Sequence, residues 1–280
     1  MKSLFLRFPD GRSKALTLSY DDGVQQDIRL LNMMTRRGVK GTFNINSELF
    51  APEGTKFAPG VIHRRMTQQE CVDLYKDNDC CEVAIHGAQH PFLESVTPPQ
   101  AVYDVARDRY LLEQIFDRLI RGMAYPMGTF SDTVVDILRL AGVAYSRTTI
   151  SSHNFDLPAD PLRLQATCHH NDPKLMDLLE TFLGEEPRRD GWLYYLWGHS
   201  YEFEINDNWN VIEAFLDRAA GHENVWYATN IEIMDYISAF RSLQISLDGK
   251  IVHNPTCITV WGLMDGKMVE VPAGATIHID

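Results

Sequence analysis

No apolar run in the 280-residue sequence approaches the roughly 18 to 20 residues a membrane-spanning helix needs, so a membrane partner is not expected. An export signal is not expected either. The opening MKSLFLRFPDGRSK places Arg7, Asp10 and Arg12 where a secretory segment requires an unbroken apolar core of about 7 to 15 residues. Cysteine is scarce: Cys71, Cys80, Cys81, Cys168 and Cys257 are odd in number, lack C-x-x-C spacing and include a vicinal pair. That excludes a disulfide framework and fits a reducing, cytoplasmic setting. Cationic residues are outnumbered, 26 Lys and Arg against 38 Asp and Glu, for a formal charge of -12. Such a chain repels phosphate backbones at long range, and nucleic acid is set aside as a partner. There is no internal repeat, low-complexity tract or linker.

What is present is an alternation. Strand-like segments at 15–20, 41–45, 82–85, 123–125, 143–146, 162–166, 192–197 and 225–228 are separated by helix-like ones at 97–119, 132–140, 172–183, 209–220 and 231–240. In the segment 97–119, Val102, Val105, Ala106, Leu112, Ile115, Phe116 and Leu119 recur at three- and four-residue spacing behind Thr97 and Pro98, a cap and first turn. Seven or eight such units predict a distorted, parallel (β/α)7–8 barrel of the α/β class. After Phe240 short alternating runs are punctuated by Asp248-Gly249, Asp265-Gly266 and Pro272-Ala273-Gly274. These predict a small antiparallel β appendage. The expected division is a barrel over 1–240 and a β extension over 241–280, whose exposed edge makes a second copy of the chain a candidate partner.

Titratable residues cluster where the predicted strands end. Asp21 and Asp22 follow the first strand, Asn44 and Asn46 close the second, and His86 with His90 follow the third. Tyr125, Pro126 and Gly128 follow the fourth, Arg147 the fifth, His169 and His170 the sixth, His199 the seventh, and Thr229 with Asn230 the eighth. The carboxyl ends of parallel barrel strands form one rim, so these residues should converge. His86 and His90, four apart, could face one ion with a carboxylate completing the set. One of the two aspartates would then serve as a ligand and its neighbour accept a proton. The alternative for Asp21-Asp22-Gly23 is a polar turn with a helix cap.

LSYDDG, HGAQH, AYPMG and WGHS, in that order, resemble the first, second, third and last motifs of the polysaccharide deacetylase family, also called the NodB-homology group or carbohydrate esterase family four. The resemblance covers roughly residues 15 to 238. It implies that Asp21 is the general base, that Asp22, His86 and His90 bind a divalent metal, and that His199 is the general acid. The metal would be zinc, with nickel, cobalt or manganese as alternatives. A backbone N–H near Tyr125 would help hold the oxyanion. Three departures stand out. Ala124 occupies the place of the family's arginine, for which Arg147 is a candidate substitute. No aspartate and tryptophan element that would tune the acid histidine is evident, leaving Asp156, Asp160 and Asp172 as candidates. Trp197 replaces a usual leucine before the late histidine, which would reshape the acyl pocket.

His169 and His170 are additional to the motifs and divide between loop residues and substrate contacts. His63, His153, His222, His253 and His278 are expected at the surface or in packing, Cys80-Cys81 as an apolar pair, and Phe116, Phe215, Trp226 and Tyr236 in the core. The function implied is a metal-dependent hydrolase removing an N-acetyl or O-acetyl group from a small acylated carbohydrate or glycan fragment. Two alternatives remain: a hydrolase of non-sugar C–N bonds in ureides or cyclic imides, and an inactive, carbohydrate-binding barrel.

Overall fold

The computed structural model describes residues 3–279. In chain order the elements are β1 (Phe5–Arg7), β2 (Lys14–Asp21), α1 (Gln26–Thr35), β3 (Gly41–Ile45), α2 (Gln68–Tyr75), β4 (Cys81–Ile85), α3 (Pro98–Phe116), β5 (Gly122–Ala124), α4 (Asp132–Leu140) and β6 (Tyr145–Ser151). They continue with β7 (Leu164–Ala166), β8 (Cys168–His169), α5 (Leu175–Gly184), β9 (Trp192–Gly198), α6 (Glu202–Ile205), α7 (Trp209–Ala219), β10 (Val225–Tyr227) and α8 (Asn230–Arg241). Five short strands complete the chain: β11 (Gln244–Ile245), β12 (Ile251–His253), β13 (Val260–Met264), β14 (Lys267–Val271) and β15 (Thr276–His278).

The parallel strands run in the order β7-β6-β5-β4-β3-β2-β9-β8. Only Thr167 separates β7, which pairs with β6, from β8, which pairs with β9, so the path closes into a barrel. Along β2, β9 pairs from Lys14 to Tyr20 on one side, while the other side is shared by β10 at Lys14–Leu16 and β3 from Leu18 onward. β10 therefore acts as a wedge at the base, and the barrel is distorted as expected. β2 is buried along its whole length because its even-numbered apolar side chains Leu16, Leu18 and Tyr20 face the helices while Thr17, Ser19 and Asp21 face inward.

The helices at 26–35 and 68–75 escaped sequence reading, since each is short and only a few apolar residues, Leu30, Leu31 and Met34 in the first, reach the core. α3 is shorter than predicted. Asp117 adopts a left-handed conformation (φ 52°) that ends the helix, leaving Leu119 exposed beyond it, and Val102 also faces solvent. Its buried stripe is Ala101, Val105, Leu112 and Phe116.

The amino terminus of α8 closes the base of the barrel. Thr229 caps it in a reciprocal capping box with Glu232. The Ile231 N–H donates to Glu82 Oε2 (2.8 Å) and the Asn230 N–H to Thr42 Oγ1 (3.1 Å), so two otherwise orphaned helical amides find partners inside the barrel. Thr42 and Tyr145 hydroxyls also donate to Glu82, both at 2.8 Å.

The strands after α8 are antiparallel, and β1 joins them by pairing with β13. Leu6, Phe8, Tyr236, Val252, Val260 and Val271 share one apolar cluster. Because Leu6 accepts from Gly191 and Ser13 from Trp192, at the start of β9, this appendage packs against the strand-start end, opposite the rim.

Candidate active site

The rim brings six of the sequence-predicted residues together: Asp21, Asp22, His86, His90, Arg147 and His199. Asp21, the last residue of β2, is buried, and its Oδ1 accepts from Asn44 Nδ2 at 2.8 Å. Its Oδ2 is paired with the Arg147 guanidinium and lies 3.8 Å from both His86 Nε2 and His199 Nε2. Burial alone would raise the Asp21 carboxyl; the charge of Arg147, aided by the two histidines, outweighs it and holds the group below its usual range. Arg147 is itself fully buried, with its guanidinium 4.4 Å from the Trp197 ring centre. The β5–β6 register sets Arg147 directly beside Ala124. A guanidinium rooted on the neighbouring strand thus reaches the aspartate where the sequence has no arginine at position 124.

Asp22 leaves the strand with φ 85°, a conformation rare for a side-chain-bearing residue. Its Oδ1 accepts from Arg65 Nη2 (3.0 Å) and its Oδ2 lies 3.1 Å from His63 Nε2. Burial opposes ionisation of Asp22, but the His63 hydrogen bond with the charges of His86 and Arg65 keeps its carboxyl far below the ordinary range. His63 was expected to be an incidental surface residue; the long loop after β3 instead returns it to the rim, a path no local pattern encodes.

His86 donates from Nδ1 to the Ala124 carbonyl (2.8 Å), which fixes the tautomer and leaves Nε2 as a lone-pair donor. Its Nε2 is 3.1 Å from His90 Nε2. Burial and the adjacent His86 push His90 down to about 4, so it is neutral near pH 7. The ligand atoms of Asp22, His86 and His90 lie within 4.8 Å of one another. Two imidazole nitrogens that face each other without a proton to share, beside a carboxylate, fit a divalent cation. The loop carrying both histidines is fastened by α3: Asp108 accepts from the Ser47 and His86 amides (2.8 and 2.9 Å), and Asp104 from those of Ala88 and Gln89 (3.0 and 3.1 Å). Both carboxylates were missed in the sequence; two acids one turn apart on a helix's buried stripe are the available signal.

His199 directly follows β9, and its Nδ1 pairs with Glu202 Oε1 at 3.0 Å. Burial would lower the imidazole, yet Glu202 and the two aspartates raise it above its ordinary value. The carboxylate partner of His199 is therefore Glu202, three residues on, and not one of the aspartates proposed from sequence. Asp172 pairs with His153 and Asp160 with Arg163, while the Asp156 amide bonds to its near neighbour Asn154. His169 and His170 also face Glu202.

Tyr125 itself offers no free donor to the site. The Tyr125 N–H donates to the Arg147 carbonyl (3.0 Å) and its hydroxyl to the Leu162 carbonyl (2.7 Å), so neither is free for an acyl oxygen. The β5–β6 ladder simply continues through that residue. Pro126 is buried in the turn that follows, and Trp197 forms the buried wall behind Arg147.

Residues 9–146 match the family model described as polysaccharide deacetylase. Over that segment, just under half of its length, the chain is similar to the polysaccharide deacetylase family. The matched segment holds Asp21, Asp22, His86 and His90, while Arg147, His199 and Glu202 lie beyond it. No curated protein matches the sequence. Among solved structures, a Mycobacterium smegmatis protein provisionally named a polysaccharide deacetylase aligns at a TM-score of 0.59 and 15% identity, over 86% of this chain and 96% of its own. That likeness establishes a shared fold. The Streptococcus pyogenes deacetylase PplD aligns at 18% identity and a TM-score of 0.40, over 48% of this chain and 55% of PplD. The Bacillus anthracis protein BA3943, a family pseudoenzyme, aligns at 17% identity and a TM-score of 0.48, over 82% of this chain and 68% of its own. Among the described residues, no helix is long and apolar enough to cross a membrane.

Proposed function

We propose that the chain is a metal-dependent hydrolase that removes an acetyl group, on nitrogen or oxygen, from a small carbohydrate or glycan fragment. The observation that carries this reading is the meeting of Asp21 Oδ2 and His199 Nε2 at 3.8 Å beside the Asp22, His86 and His90 ligand atoms. A base, an acid and a cation-fitting trio thus face one small volume.

Asp22, His86 and His90 would hold the divalent cation, zinc before nickel, cobalt or manganese. When bound, the cation supplies Lewis-acid polarisation of the acyl carbonyl and acidification of a water. Asp21, kept ionised by Arg147 and oriented by Asn44, accepts the proton from the attacking water at Oδ2. His199, kept protonated by Glu202, gives its Nε2 proton to the departing nitrogen or oxygen. In this reading Arg147 performs from β6 the orienting task of the absent arginine, and buried Trp197 walls off the side of the acyl pocket. The catalytic barrel runs from β2 through α8, the later strands joined by β1 form an extension at its base, and the enzyme works in the cytoplasm.

The test is acetate release from N-acetylglucosamine oligomers before and after chelation, with zinc restored. Activity that disappears on chelation, returns with zinc, and falls about 100-fold or more in Asp21→Asn while zinc binding persists supports the proposal. Zinc binding with no acetate release from any acetylated sugar overturns the carbohydrate reading and directs attention to ureides and cyclic imides. A folded protein that binds no metal overturns the mechanism.

A further inference from the structure

A second group of ligand-bearing side chains sits beside the trio already assigned. His169 and His170 close and follow β8, and Glu202 opens α6; their donor atoms lie within 4.8 Å of one another. Glu202 Oε2 is 2.9 Å from His170 Nε2 and 3.2 Å from His169 Nε2. His170 is only 1% exposed, held between the rings of Tyr20 and Phe203 at centroid distances of 5.7 and 4.2 Å. Neither of its ring nitrogens makes an aligned hydrogen bond. An imidazole buried this deeply ordinarily satisfies at least one nitrogen. Here His170 Nε2 comes within 2.9 Å of the carboxylate without an aligned hydrogen bond, whereas His169 Nδ1 accepts from the Asn171 N–H (3.1 Å), a bond His169 gives up when its Nε2 lone pair turns to an ion.

We propose that His169, His170 and Glu202 form a second divalent-cation site, separate from Asp22, His86 and His90. Two imidazoles and one carboxylate select a borderline ion of the zinc or cobalt class over calcium or magnesium, which prefer all-oxygen shells. His169 and Glu202 side chains are each 21% exposed, which gives the ion a way in. Asn171 Nδ2 lies 3.1 Å from Glu202 Oε2, so a half-turn of its amide presents an oxygen as a fourth donor. Gly198 provides the room: a Cβ there would lie 2.0 Å from His170 Nδ1. Glu202 keeps Oε1 on His199, so an ion on Oε2 would brace the carboxylate that positions that histidine.

The experiment counts zinc. Full-length protein is stripped with chelator, titrated with zinc, desalted and analysed for metal, with cobalt absorption as an independent readout of ligand geometry. About two equivalents per chain are expected in the wild type, and about one in each of Asp22→Asn and His169→Gln. A single equivalent in the wild type that vanishes in a folded Asp22→Asn protein overturns the second site and leaves the catalytic reading standing. A single equivalent that survives Asp22→Asn but is lost in His169→Gln supports the second site and sinks the metal assignment of the catalytic trio. Should His169→Gln fail to fold, the folded Asp22→Asn protein decides alone: bound zinc supports the site, and none overturns it.

Discussion

Two carboxylates inside the same barrel, Asp21 at the rim and Glu82 at the base, are both buried and yet pulled in opposite directions. Burial is the largest influence on each and disfavours the anion in both. Asp21 has a cation, Arg147, in direct contact and is held below its usual range. Glu82 has only neutral donors, the Ile231 amide and the Thr42 and Tyr145 hydroxyls, and is pushed up to about 7. Depth in the fold therefore does not decide charge; the formal charge of the partner does. The rim retains an anion for proton transfer, whereas the base uses a carboxyl group as a structural acceptor under a helix end.

The sharpest way to break this contrast is to remove the cation. Arg147→Met leaves Asp21 buried and unpaired, and should cost about 3–5 kcal/mol in urea unfolding at neutral pH. It should also raise the Asp21 carboxyl, so the acid limb of the pH–rate profile moves to higher pH. A destabilised protein with an unmoved acid limb would show Arg147 to be structural only.

At the base, the carboxyl is raised in the folded state, so its stabilising effect is full below about pH 4.5 and is lost as pH climbs through about 7. Glu82→Gln, a fixed neutral stand-in, should remove that loss. Its stability relative to wild type should rise by about 3 kcal/mol between pH 4.5 and pH 8, measured by paired denaturant titrations. Asp21 works with the opposite sign, present above its ordinary range and lost as pH falls, so a flat difference for Glu82→Gln would mean that the base carboxylate is ionised like the rim one.

Packing at the rim can be probed apart from charge. Gly198→Ala pushes a methyl group into His170 and should lower stability by about 1–3 kcal/mol, read as a lower unfolding midpoint. The smallest effect is expected at the helix that closes the base: Thr229→Ala removes one half of the α8 capping box and should cost about 1 kcal/mol in the same assay. A larger loss would mean that the cap also holds Glu82 in register.

Much of the rim was legible because each of Asp21, Asp22, His86, His90, Arg147 and His199 sits at or immediately after a strand or partway through one, and parallel strands deliver such residues to one end of a barrel. Arg147 was nominated from its strand position alone, but its contact with Asp21 depends on the β5–β6 register. Glu202, Asp104 and Asp108 were not legible, since they come from helices and act through backbone amides or a neighbouring imidazole. His63 and Arg65 come from the long stretch between β3 and α2, whose return to Asp22 has no periodic signature.

The sequence by itself determined the alternation of strand and helix, the parallel barrel that follows from it, and the identity of the groups along its rim, because side-chain period and strand-end position are local properties. Only the tertiary structure decided how those groups are charged and paired. Arg147 beside Asp21, Glu202 beside His199 and Glu82 under α8 are contacts between residues joined by closure of the barrel, and desolvation inside it gives those partners their weight.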